Sequence, residues 1–131
     1  MLQVAGIDHV VLRVRDADAA LAFYNGVLGC PVEKRNDVIG LIHLRAGDSL
    51  IDLVPLDGKL GAAGGAGPGD EGRNVDHVCL RLKNYDPEAT MAHLDSHGVT
   101  YDPPASRYGA TGETASIYLK DPDGNGIELR G

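Results

Sequence analysis

Two segments of the chain carry almost the same pattern of hydrophobic and polar residues. Residues 7–14 read IDHVVLRV and residues 75–82 read VDHVCLRL, with the Asp-His and Leu-Arg pairs at matching positions. Both segments are rich in Val, Leu and Ile, which predicts a β-strand in each. The repeat indicates that the chain contains two copies of one structural unit.

A helical pattern follows each of these strands, over residues 17–28 and 87–97. In the first of them, apolar residues recur at helical spacing on one face. Each segment begins after an Asp that can accept hydrogen bonds from free amides of the first turn, and ends before a Gly that suits left-handed backbone. These capping residues are Asp16 and Asp86 at the start, and Gly29 and Gly98 at the end.

Three further short strands are predicted after each helix. They cover residues 31–35, 39–45 and 49–55 in the first half, and 99–102, 114–120 and 126–130 in the second. The last two are joined by DPDGN, a sequence typical of tight turns. The chain is therefore predicted to be an α+β protein of two βαβββ modules in tandem, residues 5–57 and 74–131, within a single domain.

Residues 58–73 join the two modules and are rich in Gly and Ala. The composition favours a flexible tether between the modules. A lid over a site, or a hinge that lets two chains exchange modules, is the alternative interpretation.

Composition narrows the class of protein. With 131 residues, 43% of them hydrophobic and 24% charged, the chain has the make-up of an ordinary globular domain. It has no apolar run long enough to span a bilayer, no secretion signal and no disulfide framework, so a cytoplasmic location is expected. The net charge of −7 argues against nucleic acid or an anionic membrane as partner and leaves a small-molecule substrate.

Strand alternation places one histidine of each module, His9 and His77, on the face turned away from the helices. Asp52 and Glu128 lie inside apolar strands late in each half, where a buried carboxylate requires a partner such as a cation. Two imidazoles and two carboxylates suit Zn²⁺, Ni²⁺, Co²⁺, Mn²⁺ or Fe²⁺ rather than Ca²⁺. The pattern predicts a transition-metal site formed by these four residues.

The remaining candidate groups have weaker signals. His43 has no evident partner and is interpreted as a core or lining residue. His93 and His97 lie one helical turn apart without an HExxH motif, and we interpret them as surface residues. Cys79 shares the face of His77 but has no nearby cation in sequence, which argues against a nucleophile.

The repeated Asp-His-Val strand, AFYNGVLG at residues 22–29 and DPDGNGIE at residues 121–128 resemble the vicinal oxygen chelate superfamily. That superfamily includes glyoxalase I, the fosfomycin- and bleomycin-resistance proteins, methylmalonyl-CoA epimerase and the extradiol dioxygenases. The resemblance covers nearly the whole chain. It implies a cupped, mostly antiparallel sheet around a metal whose ligands are His9, Asp52, His77 and Glu128. It also implies a homodimer, because members often complete each cup with a module of the neighbouring chain.

In length the chain looks most like small bacterial glyoxalase I, which isomerises the hemithioacetal of methylglyoxal and glutathione. This likeness implies proton transfer between adjacent carbons of a metal-chelated substrate, with glutathione as co-substrate. Glu128 is then the expected base and Asp52 the second candidate. Arg13 and Arg73 are similar in position to arginines that bind the substrate's carboxylate in that enzyme.

Two positions depart from the glyoxalase I pattern. Asp52 stands where that enzyme has Glu, and Leu56 stands where it has Asn. The alternatives therefore remain a non-catalytic protein that binds a drug or metabolite, or another metal-dependent activity of the superfamily: thiol transferase, epimerase or dioxygenase.

Overall fold

Each repeat folds into a four-stranded mixed sheet with a helix after its first strand. The computed structural model describes residues 1–131 and divides into two units, Met1–Gly72 and Arg73–Gly131. The first unit contains β1 (His9–Val14), α1 (Ala17–Leu21), β2 (Val32–Asn36), β3 (Leu41–Ala46), β4 (Ser49–Pro55) and α2 (Lys59–Ala62). The second contains β5 (His77–Arg81), α3 (Pro87–Ser96), β6 (Ala105–Gly109), β7 (Gly112–Lys120) and β8 (Gly126–Arg130).

The two sheets have the same topology. Their strand orders are β1-β4-β3-β2 and β5-β8-β7-β6, and in each the first strand pairs in parallel with the last while the other pairs are antiparallel. The predicted fold class, two α+β modules of βαβββ order, is confirmed.

Strand alternation separates the core face of β1 from its other face. Leu12 and Val14 are fully buried, whereas Val11 between them is 48% exposed. On the neighbouring β4, Ile51 and Leu53 are also buried and extend the same core. Burial of four such aliphatic side chains contributes about 1.5–3 kcal/mol each, which makes this register strongly preferred over a one-residue slip.

The first helix begins at the predicted cap. Asp16 Oδ1 accepts hydrogen bonds from the amides of Asp18 and Ala19, at 2.9 and 3.1 Å. After Leu21 the helix widens into a π-helical segment, Ala22–Val27, and the chain leaves it at Gly29 with φ of 73°. Helix α3 begins in the same way, with Asp86 Oδ1 accepting a hydrogen bond from the amide of Glu88 at 3.0 Å.

The N-cap of α1 leads to a stability prediction. Asp16→Ala removes the acceptor of two free amides, so the free energy of unfolding is expected to fall by about 1 kcal/mol. Asp16→Asn keeps a side-chain oxygen at the cap and should lose much less. Urea denaturation of both variants measures the difference, and equal losses would contradict the capping role.

The strand predicted at residues 99–102 is wrong in extent. In the structure this segment forms only a single bridge, between Tyr101 and Leu119, and the strand that pairs with most of β7 is β6. Pro103 and Pro104 lie between the two. Because proline has no amide hydrogen to donate, continuous ladder pairing starts only at Ala105.

Much of the Gly-rich segment 58–73 packs on the first unit. It contains the short helix α2, and its Gly61 is buried. The guanidinium of Arg13 donates hydrogen bonds at 2.6–3.3 Å to main-chain carbonyls of this segment: those of Gly61, Gly64, Gly65 and Ala66. The division between the units falls after Gly72, at the end of this segment.

None of the three α-helices has the length and apolar character that a membrane span requires.

Candidate functional site

The first unit has an open hollow of about 650 Å³ on the sheet face opposite its core. Strand β1 contributes His9, Val11 and Arg13 to the lining, as its alternation predicts. His43 from β3 and Asp52 from β4 lie on the same surface. The hollow therefore brings together two imidazoles, a guanidinium and the carboxylates of Asp8 and Asp52.

His43 and Asp52 are joined by a hydrogen bond within this hollow. They are direct neighbours across β3 and β4, and His43 Nδ1 lies 2.7 Å from Asp52 Oδ1. Asp52 is 4% exposed, so this hydrogen bond satisfies one of its buried oxygens. Sequence patterns do not predict this partner for His43, because the pairing depends on the register between two strands.

The second unit also pairs an imidazole with a buried carboxylate, but here the histidine lies on the first strand of the module, β5, and the carboxylate on β8. His77 Nε2 lies 3.2 Å from Glu128 Oε2, and Glu128 is 5% exposed. Cys79 is the register partner of Glu128 on β5, and Tyr118 is its partner on β7. The sheet thus places a carboxylate in its middle strand with an imidazole at its edge strand.

The carboxylate of Glu128 is held in its ionised form by its surroundings. Burial by itself raises the pKa of Glu128, but the neighbouring Ser116, Tyr118 and Cys79 side chains and the charge of His77 outweigh it and leave the pKa below its usual value. Oε1 makes no hydrogen bond, and Arg130 Nη1 lies 4.0 Å from it. A buried carboxylate oxygen without a hydrogen bond costs free energy unless another group compensates it.

The pKa of the Cys79 thiol is shifted upward, in the opposite direction to the pKa of Glu128. Burial and the adjacent Glu128 carboxylate raise the pKa of Cys79 to about 11. The thiol is therefore protonated near neutral pH, which argues against a nucleophilic role.

Three histidines present their imidazoles in the same way. In each, Nδ1 lies 2.7 Å from an Asp carboxylate oxygen, in the pairs His9–Asp8, His43–Asp52 and His77–Asp76. A carboxylate partner favours the tautomer with hydrogen on Nδ1. Nε2 of His9 and of His43 is then available to a ligand, whereas Nε2 of His77 lies 3.2 Å from Glu128 Oε2. The repeated Asp-His dipeptide thus has a physical role, because its Asp orients the histidine that follows.

The electrostatics of His9 agree with this arrangement. The hydrogen bond to Asp8 raises the pKa of His9, partial burial lowers it, and the more distant Asp52 carboxylate raises it again. The direct influence of Asp52 places His9 and that carboxylate within electrostatic reach of each other in the first unit.

The donor chemistry fits a transition metal, although no three His, Cys, Asp or Glu side chains lie together in a metal-binding geometry. An imidazole whose Nδ1 is bound to a carboxylate is the usual form of a metal-ligating histidine. The buried Oε1 of Glu128, which accepts no hydrogen bond, is a second observation that fits a cation. The assignment of His9, Asp52, His77 and Glu128 as ligands stays a prediction.

The two arginines predicted to bind substrate have different surroundings. Arg13 uses its guanidinium to hold carbonyls of the Gly-rich segment, as described above. Arg73 is 57% exposed and lies 3.7 Å from Asp76, the residue that orients His77. Its side chain is therefore accessible to a carboxylate ligand, and its role in binding remains a prediction.

Comparisons with known proteins agree with the fold and the repeated motifs. A family model described as the Glyoxalase/Bleomycin resistance protein/Dioxygenase superfamily matches residues 6–129. The chain is similar to a glyoxalase domain-containing protein, RDO1, of Mycosarcoma maydis, with 32% identity over 98% of this chain and 69% of that protein. It is also similar to the virulence protein STM3117 of Salmonella typhimurium, with 28% identity over 94% of this chain and 81% of that protein.

Solved structures show the same likeness. The integron cassette protein VCH_CASS1 from the mobile metagenome of V. cholerae has a TM-score of 0.76 and 30% identity, covering 98% of this chain and 96% of that one. The lactoylglutathione lyase of Agrobacterium tumefaciens has a TM-score of 0.71 at 20% identity, covering 98% and 96% of the two chains. At that identity the second likeness shows the fold alone.

Proposed function

Because the chain belongs to the glyoxalase/bleomycin resistance protein/dioxygenase superfamily, we propose that it is a metal-dependent lyase or isomerase acting on a small molecule. The reaction class is proton transfer between adjacent carbons of a substrate that chelates the metal through two oxygens. A glutathione hemithioacetal is the first substrate to test.

The observation that carries this proposal is the state of Glu128. Its carboxylate is buried, its pKa is held low, and one oxygen has no hydrogen bond. A carboxylate that serves only the core would have both oxygens satisfied. An ionised carboxylate with an uncommitted oxygen is suited to bind a cation or to accept a proton from a carbon acid.

The proposed metal donors are His9 and Asp52 of the first unit and His77 and Glu128 of the second, from one chain or from two copies of it. Asp52 belongs to the set either as a direct ligand or through His43. A bound divalent transition metal would act as a Lewis acid and stabilise negative charge on substrate oxygens. Zn²⁺, Ni²⁺, Co²⁺, Mn²⁺ and Fe²⁺ all match this donor set.

The remaining roles fall to side chains of this protein. Glu128 is the proposed base, because neighbouring donors keep it ionised, and Asp52 is the second candidate. Arg73 is proposed to bind a substrate carboxylate through its exposed guanidinium. Arg13, which lines the hollow, is proposed to bind the same carboxylate. We also propose a homodimer, which sedimentation analysis can test.

Metal analysis tests the proposal directly. The protein, expressed with a supply of transition metals, is expected to purify with a stoichiometric divalent ion, and His77→Gln to lose most of it because its Nε2 is the proposed ligand atom. His93→Gln, on the helix α3, is the matched control and should keep the metal content of the wild type. Turnover is then measured with a substrate screen that begins with hemithioacetals.

Metal content and turnover together distinguish the proposed function from a non-catalytic binder and from the other metal-dependent activities. A wild-type protein that takes up no transition metal and still binds small molecules would contradict the proposal and indicate a non-catalytic binder. Stoichiometric metal without turnover of hemithioacetals would instead direct the screen to epimerase, thiol-transfer and dioxygenase substrates.

A further inference from the structure

No sequence pattern predicts that His43 pairs with Asp52 at the surface of the open hollow. His43 is on β3, directly opposite Asp52 on β4, and the two side chains are joined by the 2.7 Å hydrogen bond. Both line the hollow that also contains His9. The strand order places β1 and β3 on either side of β4, so His9 and His43 flank the strand that carries Asp52.

The imidazole is the more accessible member of the pair. The side chain of His43 is 21% exposed and that of Asp52 is 5% exposed. The imidazole is therefore more accessible than the carboxylate to a ligand in the hollow. The hydrogen bond at Nδ1 leaves Nε2 without a partner in the protein.

The chain contains two other hydrogen bonds between an Asp carboxylate and a histidine Nδ1. Asp8 and Asp76 hold Nδ1 of His9 and His77 at the same distance, 2.7 Å. At those two histidines the carboxylate comes from the preceding residue, whereas His43 receives it from the next strand. A carboxylate that fixes a ligating imidazole in this way also increases its basicity toward a metal.

We propose that His43 Nε2, rather than a carboxylate oxygen of Asp52, is the atom with which this part of the first unit binds the metal. This inference rests on the proposed metal-dependent function. Asp52 is then a positioning residue, which holds the ring of His43 in the ligating tautomer. The side chain of Asp52 is one methylene shorter than the glutamate that glyoxalase I has at this position. The imidazole of His43, which is bonded to Asp52 and more exposed to the hollow, is then the group that binds the metal.

Nuclear magnetic resonance of the wild-type protein tests the proposal without any substitution. Imidazole ¹H–¹⁵N spectra are recorded on metal-free protein and after addition of Zn²⁺. The expected result is a large shift of Nε2 of His43 together with those of His9 and His77, while the Nδ1 proton of His43 is retained. A response of His9 and His77 without His43 would overturn the inference and leave the proposed function intact. No response of any histidine would overturn both.

Affinity measurements give a second, independent test. In competition titrations with Zn²⁺, Asp52→Asn keeps an oxygen that can accept from Nδ1 and is expected to weaken binding by about 10-fold, the lower end of the effect of losing an orienting partner. His43→Gln removes the ligand atom and is expected to weaken binding by more than about 100-fold. His97→Gln is the control and should bind like the wild type.

The relative sizes of the two losses in Zn²⁺ affinity show whether His43 or Asp52 is the ligand. A larger loss in Asp52→Asn than in His43→Gln, or equal losses, would show that the carboxylate itself is the ligand and overturn the inference. His77→Gln weakens Zn²⁺ binding whichever of the two is correct, so it tests the proposed function separately. Circular dichroism confirms that each variant is folded before it is titrated.

Discussion

Glu128→Gln is expected to lower kcat by about 100- to 10,000-fold, the range that removal of a positioned general base produces. The substitution preserves the shape of the side chain, so Ile127 and Leu129 on either side can remain buried as they are. It removes the ionised oxygen that the donors around position 128 stabilise. The measurement is steady-state turnover of whichever substrate the screen identifies, with metal content determined on the same preparation.

Turnover per bound metal distinguishes a base from a purely structural carboxylate. Turnover per bound metal must fall, because loss of metal alone would leave the remaining loaded molecules fully active. Glu71→Gln, at an exposed position of the Gly-rich segment, is the control and is expected to retain full turnover. A Glu128→Gln protein that binds metal and keeps wild-type kcat would rule out Glu128 as the base.

Gly61→Ala is expected to lower the free energy of unfolding by at least about 3 kcal/mol, the upper range for overpacking a buried position. A Cβ at residue 61 would lie 1.9 Å from the carbonyl oxygen of Pro55 and 2.8 Å from that of Val54. Both atoms belong to the backbone at the end of β4, so no side-chain rotation can relieve the contact. The carbonyl of Gly61 also accepts two hydrogen bonds from Arg13, and a shift of α2 would strain them.

Gly72→Ala is the matched control, because a Cβ there meets no atom within 4 Å and the residue does not have positive φ. Its free energy of unfolding should stay within about 0.5 kcal/mol of the wild type. Thermal and urea denaturation of both variants provide the comparison. Similar stabilities would mean that the Gly-rich segment behaves as a free tether rather than a packed part of the first unit.

The composition of residues 58–73 is compatible with two kinds of segment. A high content of Gly and Ala is typical of flexible linkers, but it also allows backbone to approach backbone closely. Gly61 and Gly64 have the second role, since a Cβ at either would collide with Pro55 or with the guanidinium of Arg13. The carbonyls that bind Arg13 belong to residues 48 to 53 positions away in the chain. No local pattern reports a contact over that separation.

The error at residues 99–102 has a different cause. The segment contacts the sheet only at Tyr101, which bridges to Leu119. Ladder pairing, however, depends on amide donors, and Pro103 and Pro104 delay it to β6. β6 itself is mostly exposed and carries little hydrophobic alternation, so its sequence did not predict a strand.

The sequence by itself determined the features that depend on local chemistry. The repeat revealed two modules of one topology, Asp16 and Asp86 marked the starts of helices, and alternation separated the core face of β1 from the face with His9. These follow from neighbouring residues, because capping and strand alternation act within a few positions of the chain.

Only the tertiary structure decided which side chains share a hydrogen bond. The pairing of His43 with Asp52 depends on the register of β3 against β4, and the unpaired oxygen of Glu128 depends on the strands at either side of it. A shift of one residue in either register would turn these groups to the opposite face of the sheet. The register is set by burial of the whole core, which no single stretch of sequence encodes.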